Sequence, residues 1–326
     1  MKVLLTSVPL RERDSWTCFQ ILREASIDAL LPEGPLQRFE ASVQEKLPMA
    51  DGVVAGSERY TREVMEACPR LKVIARVGVG YDAVDVEAAS ELGIVVTVTP
   101  GHNHEAVADL AMTLVMALNR DLLRLTHTTT SGEWLRPVVK SPRDSVLGLV
   151  GLGRIGQAMV RHAQPFGFKV LATEIQPDAG FVQEYGVELV KLEELLRRSD
   201  YVSLHIPLSP ESHHLITQET IALMKNGAFL INTSRGGLVD EAALMGALRS
   251  GKLGGAGLDV FENEPPVGSP LLSLPNVICT PHVAGVDYSA LDGMAAMAAS
   301  SAVEVLNGRV PEIGVLNPEA WERRRT

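Results

Sequence analysis

Three glycines at positions 151, 153 and 156 form the pattern G-x-G-x-x-G near the middle of the chain. A β-favouring run precedes them at 146–150 and helix-forming residues follow, so the pattern predicts a tight turn from strand to helix. In such a turn Gly151 makes the bend, Gly153 lets a pyrophosphate approach the backbone, and Gly156 lets helix and strand pack closely. The free N–H groups at the start of the helix would bind the phosphates.

An acidic residue follows the glycine turn at the distance that a dinucleotide requires. A second strand is predicted at 169–174, and it ends at Glu174, about 20 residues beyond the turn. A carboxylate at this point can bind the two hydroxyl groups of a ribose. No basic residue follows it at 175–177, so a 2′-phosphate would have no partner. The sequence therefore predicts a dinucleotide site that prefers NAD to NADP.

Two further side chains with useful chemistry come directly after apolar runs. Arg235 follows a predicted strand at 229–232, and His282 follows one that begins at 277. Ligands of parallel α/β sheets bind at the carboxyl ends of the strands, so we expect both residues at one cleft. A guanidinium group there can grip a carboxylate and polarise a carbonyl, and an imidazole can exchange a proton near neutral pH. Glu264 could orient that imidazole and favour its protonated form.

Each of these residues also has a structural interpretation. Arg235 can close a turn, His282 can be a hydrogen-bonded loop histidine, and Glu264 can be a solvated loop carboxylate. Taken singly, the residues leave both interpretations open. His102 and His104 resemble a metal-binding pair, but no further ligand lies at suitable spacing, so we expect no metal site.

Length, charge and cysteine content narrow the possible functions. The chain has 326 residues, enough for two domains that each bury a core. With 30 basic against 40 acidic side chains, we expect no nucleic-acid partner. Three scattered cysteines without a C-x-x-C motif indicate reduced thiols and a cytoplasmic location. The longest apolar stretch, 106–118, is interrupted by Asp109 and Thr113 and is too short to span a bilayer, so no membrane partner is expected.

Short β runs alternate with helical patterns in two series, at 1–100 and at 145–285. This alternation predicts an α/β protein with parallel sheets, and the Pro-Gly pair near residue 100 marks the first domain boundary. A helix at 105–120 is apolar nearly all round, which predicts burial between domains or against a second subunit. A last helix at 289–306 is expected to return to the first domain.

Seven motifs in chain order resemble the D-isomer-specific 2-hydroxyacid dehydrogenase family, and the match covers nearly the whole chain. They are ARVGVGYDAVD (75–85), TPGHNHEAVAD (99–109), GLVGLGRIG (148–156), LHIPL (204–208), INTSRGGLVDE (231–241), GLDVFENEP (257–265) and TPHVAG (280–285). The resemblance implies the interconversion of a small, anionic 2-oxoacid and its D-2-hydroxyacid by hydride transfer with NAD. Two doubly wound parallel-sheet domains are implied, with a Rossmann NAD-binding domain (101–286) inserted into a flavodoxin-like substrate domain (1–100 plus 287–326). The resemblance also implies a homodimer.

The family's functional residues fall on matching positions of this chain. The resemblance implies Arg235, Glu264 and His282 as the catalytic set. It implies that the substrate carboxylate meets the backbone N–H groups of Val77 and Gly78 and the side chain of Asn103, with Arg76 on the same loop. The implied cofactor contacts are Gly151, Gly153, Arg154, Ile155, Gly156, Glu174, His205, Pro207, Thr233, Asp259 and Gly285.

Within the family, the GVGYD loop and the Leu-Asn-Pro segment near the C-terminus look most like phosphoglycerate-dehydrogenase-type members. Where such enzymes commonly offer a basic side chain to a phosphate, this chain has Ala-Gly-Ser at 55–57, with Arg59, Arg62 and Arg76 nearby. The substrate is therefore expected to be either phosphoglycerate-like or a hydroxypyruvate or glyoxylate. Two alternatives stay open: an NAD-sensing scaffold without catalysis, and oxidation of a small anion on the same fold.

Overall fold

The chain divides into two compact units in the computed structural model, which describes residues 1–12, 15–34 and 38–325. The first unit comprises Met1–Asn103 and Asp287–Thr326, and the second comprises His104–Val286. Each unit contains one sheet in which every described strand pair is parallel. This architecture confirms the predicted fold class.

The strands and helices alternate along the chain as the sequence predicts. The strands are β1 (Lys2–Leu5), β2 (Asp28–Leu30), β3 (Gly52–Ala55), β4 (Val73–Arg76), β5 (Val95–Thr97), β6 (Val146–Val150), β7 (Lys169–Thr173), β8 (Glu188–Leu189), β9 (Tyr201–Leu204), β10 (Ala228–Asn232), β11 (Leu253–Leu258) and β12 (Val277–Cys279). The helices are α1 (Thr17–Glu24), α2 (Phe39–Lys46), α3 (Arg62–Glu66), α4 (Val86–Glu91), α5 (His104–Asn119), α6 (Leu122–Thr130), α7 (Arg154–Phe166), α8 (Ala179–Tyr185), α9 (Leu192–Arg198), α10 (Gln218–Leu223), α11 (Glu241–Ser250) and α12 (Tyr288–Leu306).

The sheet of the first unit has five strands in the order β2-β1-β3-β4-β5. Because side chains alternate across a strand, Val3 and Leu5 join a core cluster with α1 and α12, whereas Leu4 joins a cluster with α2 and α4. Both faces are thus covered, which explains why the strands are almost continuously apolar. The chain after α12 returns to this sheet, where the buried Asn317 accepts the Val96 N–H at 2.8 Å.

The sheet of the second unit has seven strands in the order β12-β11-β10-β9-β6-β7-β8. The order reverses at β6, from which β7 and β8 extend to one side and β9 to β12 to the other. Ligands of open α/β sheets bind at such a switch point, outside the carboxyl ends of the strands. The glycine turn follows β6 directly, and the polar residues singled out in the sequence follow β7, β9, β10, β11 and β12.

The apolar side chains of helix α5 are buried within its own unit. Its side chains Ala108, Ala111, Leu114 and Val115 are buried in a cluster with residues of α7 and of the seven-stranded sheet. Gly257 of β11 permits this packing, since a Cβ there would lie 2.9 Å from that of Leu114. One face of this helix is thus buried on its own sheet, and its predicted role between domains or against a second subunit stays a prediction. Among the described residues, none of the helices has the length and apolar character that crossing a bilayer requires.

Candidate active site

Two of the three glycines in the turn between β6 and α7 are required by the fold, and one is not. Gly151 has φ of +99°, and a Cβ there would lie 2.5 Å from the carbonyl oxygen of His205. A Cβ at Gly156 would lie 2.2 Å from the Gly151 carbonyl oxygen. At Gly153, in contrast, a Cβ would meet no atom within 4 Å. The fold therefore does not explain the middle glycine, and an approaching ligand does.

The first turn of α7 offers backbone N–H groups to that ligand. Gly153 is the N-cap and supplies no capping side chain, and the Gln157 N–H bonds the Gly153 carbonyl at 2.8 Å. The N–H groups of Arg154 and Ile155 precede this first intrahelical bond, so a helix of this length leaves them available. Such a helix start favours a phosphate group both by hydrogen bonding and by its dipole.

Glu174 lies just beyond β7, and its carboxylate is fixed by the backbone around the turn. One oxygen accepts the Leu152 N–H at 2.7 Å, and the other accepts those of Ile175 at 2.7 Å and Gln176 at 3.2 Å. Partial burial raises the pKa of Glu174, but the three N–H donors outweigh it and hold the pKa below its usual range. The carboxylate is thus ionised at neutral pH, and its remaining lone pairs can accept hydroxyl groups of a ribose.

His205 and Thr233, which follow β9 and β10, carry buried polar atoms without partners. Both ring nitrogens of His205 and the Thr233 hydroxyl have no hydrogen-bond partner among the described residues. Burial lowers the pKa of His205 to about 3, so the ring is neutral. Unpartnered buried polar atoms are costly, and a polar ligand at this edge of the sheet would satisfy them. Together with the turn and Glu174, these residues fit a bound dinucleotide.

Asp259 follows β11 and has partners within the protein. Its fully buried carboxylate accepts the Thr280 hydroxyl at 2.6 Å and the N–H groups of Val283 at 2.9 Å and Ala284 at 2.8 Å. These contacts fix the loop that carries His282. The cofactor contact implied for Asp259 stays a prediction, as do those of Pro207, which is exposed, and Gly285, which follows the same loop.

His282 and Glu264 form a short hydrogen bond at the end of β12. The Nδ1 atom of His282 lies 2.7 Å from one carboxylate oxygen of Glu264, and the Phe261 N–H bonds the other at 3.0 Å. Partial burial raises the pKa of Glu264. The contact with His282, the Phe261 N–H and the charge of Arg235 together outweigh this effect and hold the pKa below its usual range. An ionised carboxylate only accepts hydrogen bonds, which assigns the proton to Nδ1 and leaves Nε2 for a substrate.

The backbone of His282 has an uncommon conformation that other contacts maintain. Its φ is +53°, in the left-handed region that L-residues other than glycine rarely occupy. The His282 N–H bonds the Asp259 carbonyl at 2.8 Å, which fixes the residue in this conformation. Backbone strain of this kind is concentrated at functional sites.

Arg235 leaves β10 in a turn that two polar neighbours shape. The Asn232 side-chain amide donates to the Arg235 carbonyl at 2.8 Å and accepts the Ser234 N–H at 3.0 Å. The half-buried guanidinium donates to the Ser234 carbonyl at 2.6 Å. Because its charge lowers the pKa of Glu264, the guanidinium lies within electrostatic reach of the histidine pair.

Gly236 explains why Arg235 and Glu264 come together. A Cβ at Gly236 would lie 1.9 Å from the Phe261 carbonyl carbon, so the turn and the Glu264 loop pack backbone against backbone. The structure thus brings together all three residues of the predicted catalytic set. Sequence reasoning did not single out Asn232 or Gly236. Their positions on either side of Arg235, after a buried strand, could have identified them in the sequence.

The predicted substrate-binding residues lie in the first unit. Arg76 is the last residue of β4, and Asn103, which is half-buried, is the last residue before the second unit begins. The Val77 N–H bonds the Ala55 carbonyl at 2.9 Å, and the Gly78 N–H bonds the Thr99 hydroxyl at 2.8 Å. Both N–H groups implied to bind the substrate carboxylate are therefore already used within the fold.

The two following N–H groups of the same loop are available. Val79 is exposed and Gly80 half-buried, and neither N–H has an acceptor in the part of the chain that the structure describes. The N–H groups of Val79 and Gly80 are thus the open backbone donors of this loop. The Nε atom of Arg76 donates to the Gly80 carbonyl at 3.1 Å and thereby supports this loop, and the substrate contact implied for Arg76 stays a prediction.

Comparison with known proteins places this geometry in a family. Residues 112–284, more than half of the chain, match the family described as D-isomer specific 2-hydroxyacid dehydrogenase, NAD binding domain. The chain belongs to the D-isomer specific 2-hydroxyacid dehydrogenases. This dehydrogenase is accordingly an NAD-dependent oxidoreductase that acts on CH–OH groups, which confirms the predicted family, reaction class and cofactor.

Three similar proteins illustrate the range of this family. A glyoxylate reductase of Thermococcus kodakarensis is 44% identical over 280 residues, which cover 82% of this chain and 83% of that protein. A D-3-phosphoglycerate dehydrogenase of Methanocaldococcus jannaschii is 43% identical over 272 residues, which cover 82% of this chain but 52% of that protein. The structure of an Aquifex aeolicus D-lactate dehydrogenase complexed with NAD and lactic acid has a TM-score of 0.82 at 28% identity and covers 97% of this chain and 99% of that one.

Alanine at two of the turn glycines should separate the needs of the fold from those of the cofactor. Gly156→Ala brings Cβ against the Gly151 carbonyl and should lower the free energy of unfolding by about 2 kcal/mol. Gly153→Ala meets nothing in the protein, so its Tm should match that of wild type, while its Kd for NADH should rise about tenfold or more. Thermal unfolding and fluorescence titration with NADH measure the two effects. Unchanged NADH affinity in Gly153→Ala would contradict this position for the pyrophosphate.

Proposed function

We propose that this dehydrogenase reduces small 2-oxoacids such as glyoxylate and hydroxypyruvate, with Arg235, Glu264 and His282 as its catalytic residues. The observation that carries the proposal is the joint position of these three side chains in one unit, at the strand ends that also bear the glycine turn. The similarity to a glyoxylate reductase, at 44% identity, supports this substrate class. We assign NAD binding to the second unit and substrate binding to the first.

The geometry supports a defined task for each catalytic side chain. NADH, when bound, supplies the hydride. The Arg235 guanidinium binds the substrate carboxylate and polarises the neighbouring carbonyl. His282 donates the proton from Nε2 to the carbonyl oxygen, because its Nδ1 is engaged with Glu264 at 2.7 Å. Glu264 stays ionised, stabilises the protonated imidazole and fixes its orientation.

Further substrate contacts are proposed in the first unit. The N–H groups of Val79 and Gly80 would bind the substrate carboxylate, and the Asn103 side chain would add a further hydrogen bond. A carboxylate accepts several donors at once.

Replacing the arginine tests the reaction. With NADH and glyoxylate or hydroxypyruvate, Arg235→Ala should lower kcat/KM by about 10²–10³-fold, since a charged donor to the reacting group is lost. Arg197→Ala, which removes an exposed arginine of the same unit, is the matched control and should retain wild-type activity. NADH oxidation at 340 nm measures both.

The wild-type protein also decides between the proposal and its alternatives. NADH binding without turnover of any 2-oxoacid would favour a scaffold, and NAD reduction with formate would favour oxidation of a small anion. Near-normal turnover by Arg235→Ala would contradict the catalytic assignment.

The depressed pKa of Glu264 predicts the direction of a pH effect. A carboxyl group with a lowered pKa is ionised throughout the neutral range and loses its charge only as pH falls through that pKa. The contribution of Glu264 to activity should therefore be constant throughout the neutral range. In Glu264→Gln the charge is absent at every pH, so kcat/KM should fall about tenfold or more across that whole range.

The kcat/KM for glyoxylate between pH 5.5 and 9 measures the effect. Glu262→Gln is the matched control, because Glu262 lies in the same loop but pairs with His214 at 2.6 Å. Its kcat/KM should equal that of wild type. Equal kcat/KM for Glu264→Gln and wild type would show that Glu264 does not act on His282.

We also propose a homodimer and a cytoplasmic location. Large apolar side chains are exposed on α6 and the segment after it, with exposed fractions of 54% for Leu122, 73% for Trp134 and 100% for Val138. Several large, exposed apolar side chains on one segment are typical of a subunit interface. A cytoplasmic location is supported by the free cysteines, of which Cys18 and Cys68 are buried.

Charges within the patch should separate the subunits. Leu122→Asp combined with Trp134→Asp would bury carboxylates in the proposed interface and should convert the dimer to a monomer. Sedimentation velocity measures the mass. Val310→Asp, at a position that is also 49% exposed but lies in the first unit, should stay dimeric. A monomeric wild-type protein would refute the homodimer.

A further inference from the structure

A fully buried threonine of the first unit holds the loop that carries the open N–H groups. Thr99 lies two residues beyond β5, and its hydroxyl accepts the Gly78 N–H at 2.8 Å. The same hydroxyl donates to the Gly78 carbonyl at 3.2 Å, and the Thr99 N–H donates to that carbonyl at 2.9 Å. Because a hydroxyl is both a donor and an acceptor, one side chain serves both backbone polar groups of Gly78.

The backbone conformation of Gly78 depends on these hydrogen bonds. Its φ is +142°, a value that residues with a side chain rarely adopt. A Cβ at this position would meet no atom within 4 Å, so close packing does not determine the conformation. The hydrogen bonds to Thr99 do so instead. They thereby set the direction of the next two N–H groups, those of Val79 and Gly80.

The position of Thr99 is itself fixed by the strand end that precedes it. The Val98 N–H bonds the Gly314 carbonyl at 2.9 Å. Gly314 has φ of +84°, and a Cβ there would overlap the Val98 carbonyl oxygen, so the chain that returns after α12 packs closely on this strand end. The segment after Thr99 continues to Asn103. Thr99 thus joins a firmly packed strand end to both parts of the first unit that are proposed to contact the substrate.

A second support of this loop acts at its far end. The Arg76 guanidinium donates to the Gly80 carbonyl at 3.1 Å, and its charge also reaches the half-buried carboxylate of Glu58. This contact fixes the Gly80 carbonyl and leaves the backbone polar groups of Gly78 to Thr99. The two supports therefore act at different points of the loop, and each can be removed separately.

We infer that Thr99 is a positioning residue for the substrate carboxylate, because its hydroxyl holds Gly78 so that the N–H groups of Val79 and Gly80 face the anion together. The inference rests on the proposed function and deepens it. The carboxylate carries the same charge in the 2-oxoacid, the transition state and the 2-hydroxyacid, since the reaction changes only the neighbouring carbon. Donors to it therefore stabilise substrate and transition state alike, and losing them raises KM while kcat stays nearly unchanged.

Replacing the hydroxyl by a methyl group tests this role. Thr99→Val keeps the shape of the side chain but leaves the Gly78 N–H without its acceptor, so the KM for glyoxylate should rise about tenfold while kcat stays within about twofold of wild type. Thr99→Ser retains the hydroxyl and should restore KM. Because NAD binding is assigned to the second unit, the Kd for NADH should not change in either variant. Steady-state NADH oxidation and fluorescence titration with NADH measure these constants.

Thr97→Val is the matched control. Thr97 is likewise a fully buried threonine, two residues earlier in the chain, but its hydroxyl has no hydrogen-bond partner among the described residues. Its replacement should leave KM unchanged. An unchanged KM in folded Thr99→Val, or an equal rise in both valine variants, would overturn the role of Thr99. Failure of wild type to reduce any 2-oxoacid would instead overturn the proposed function.

A measurement on wild type covers the case that Thr99→Val does not fold. The Gly78 amide should exchange with deuterium at least about a hundredfold more slowly than the Val79 amide, because the first is bonded to a buried hydroxyl and the second belongs to an exposed residue. Residue-resolved hydrogen exchange by NMR measures both rates. Equal rates for the two amides would show that Thr99 does not hold Gly78.

Discussion

The position of His282 depends on a buried carboxylate that never needs to touch the substrate. Asp259 is inaccessible to solvent and accepts three hydrogen bonds from the loop at 280–284. Leaving such a group without partners would cost several kcal/mol, so the loop and the carboxylate stabilise each other. The Asp259 carbonyl also fixes the left-handed backbone of His282. In this conformation the Nδ1 atom of His282 lies 2.7 Å from a carboxylate oxygen of Glu264.

Three carboxylates at strand ends illustrate how surroundings assign different tasks to one functional group. Asp259 accepts three donors inside the protein, which fix the loop that carries His282. Glu264 is 36% exposed and faces an imidazole and a guanidinium, which keep it ionised beside a proton donor. Glu58 is fixed by a single hydroxyl and a few N–H groups, and burial raises its pKa. Their positions along the sequence look alike, and their neighbours across the sheet distinguish them.

The sequence was most informative where local geometry dictates residue type. The glycine turn and the acid at 174 are prescribed by backbone conformation over a few residues, and the structure has both in the predicted arrangement. The positions of the strand ends could also be predicted, from the alternation of apolar runs. The availability of N–H groups was not predictable in this way. Val77 and Gly78 lose theirs to Ala55 and Thr99, which belong to other strands, so the choice of Val79 and Gly80 requires the sheet order.

The same limit applies to the surroundings of Glu58, which the sequence does not reveal. The sequence at 55–57 shows only that no basic side chain is present. It does not show that the next residue is bonded to Thr6, because the two lie 52 residues apart in the chain. Polar groups left unsatisfied or only partly satisfied reduce stability by about 1–3 kcal/mol each, so a stable fold retains them where a ligand completes them. By that reasoning the buried, unpartnered polar atoms of His205 and Thr233 indicate where a polar ligand binds. Residues that the fold does not explain are therefore the best guide to what this dehydrogenase binds.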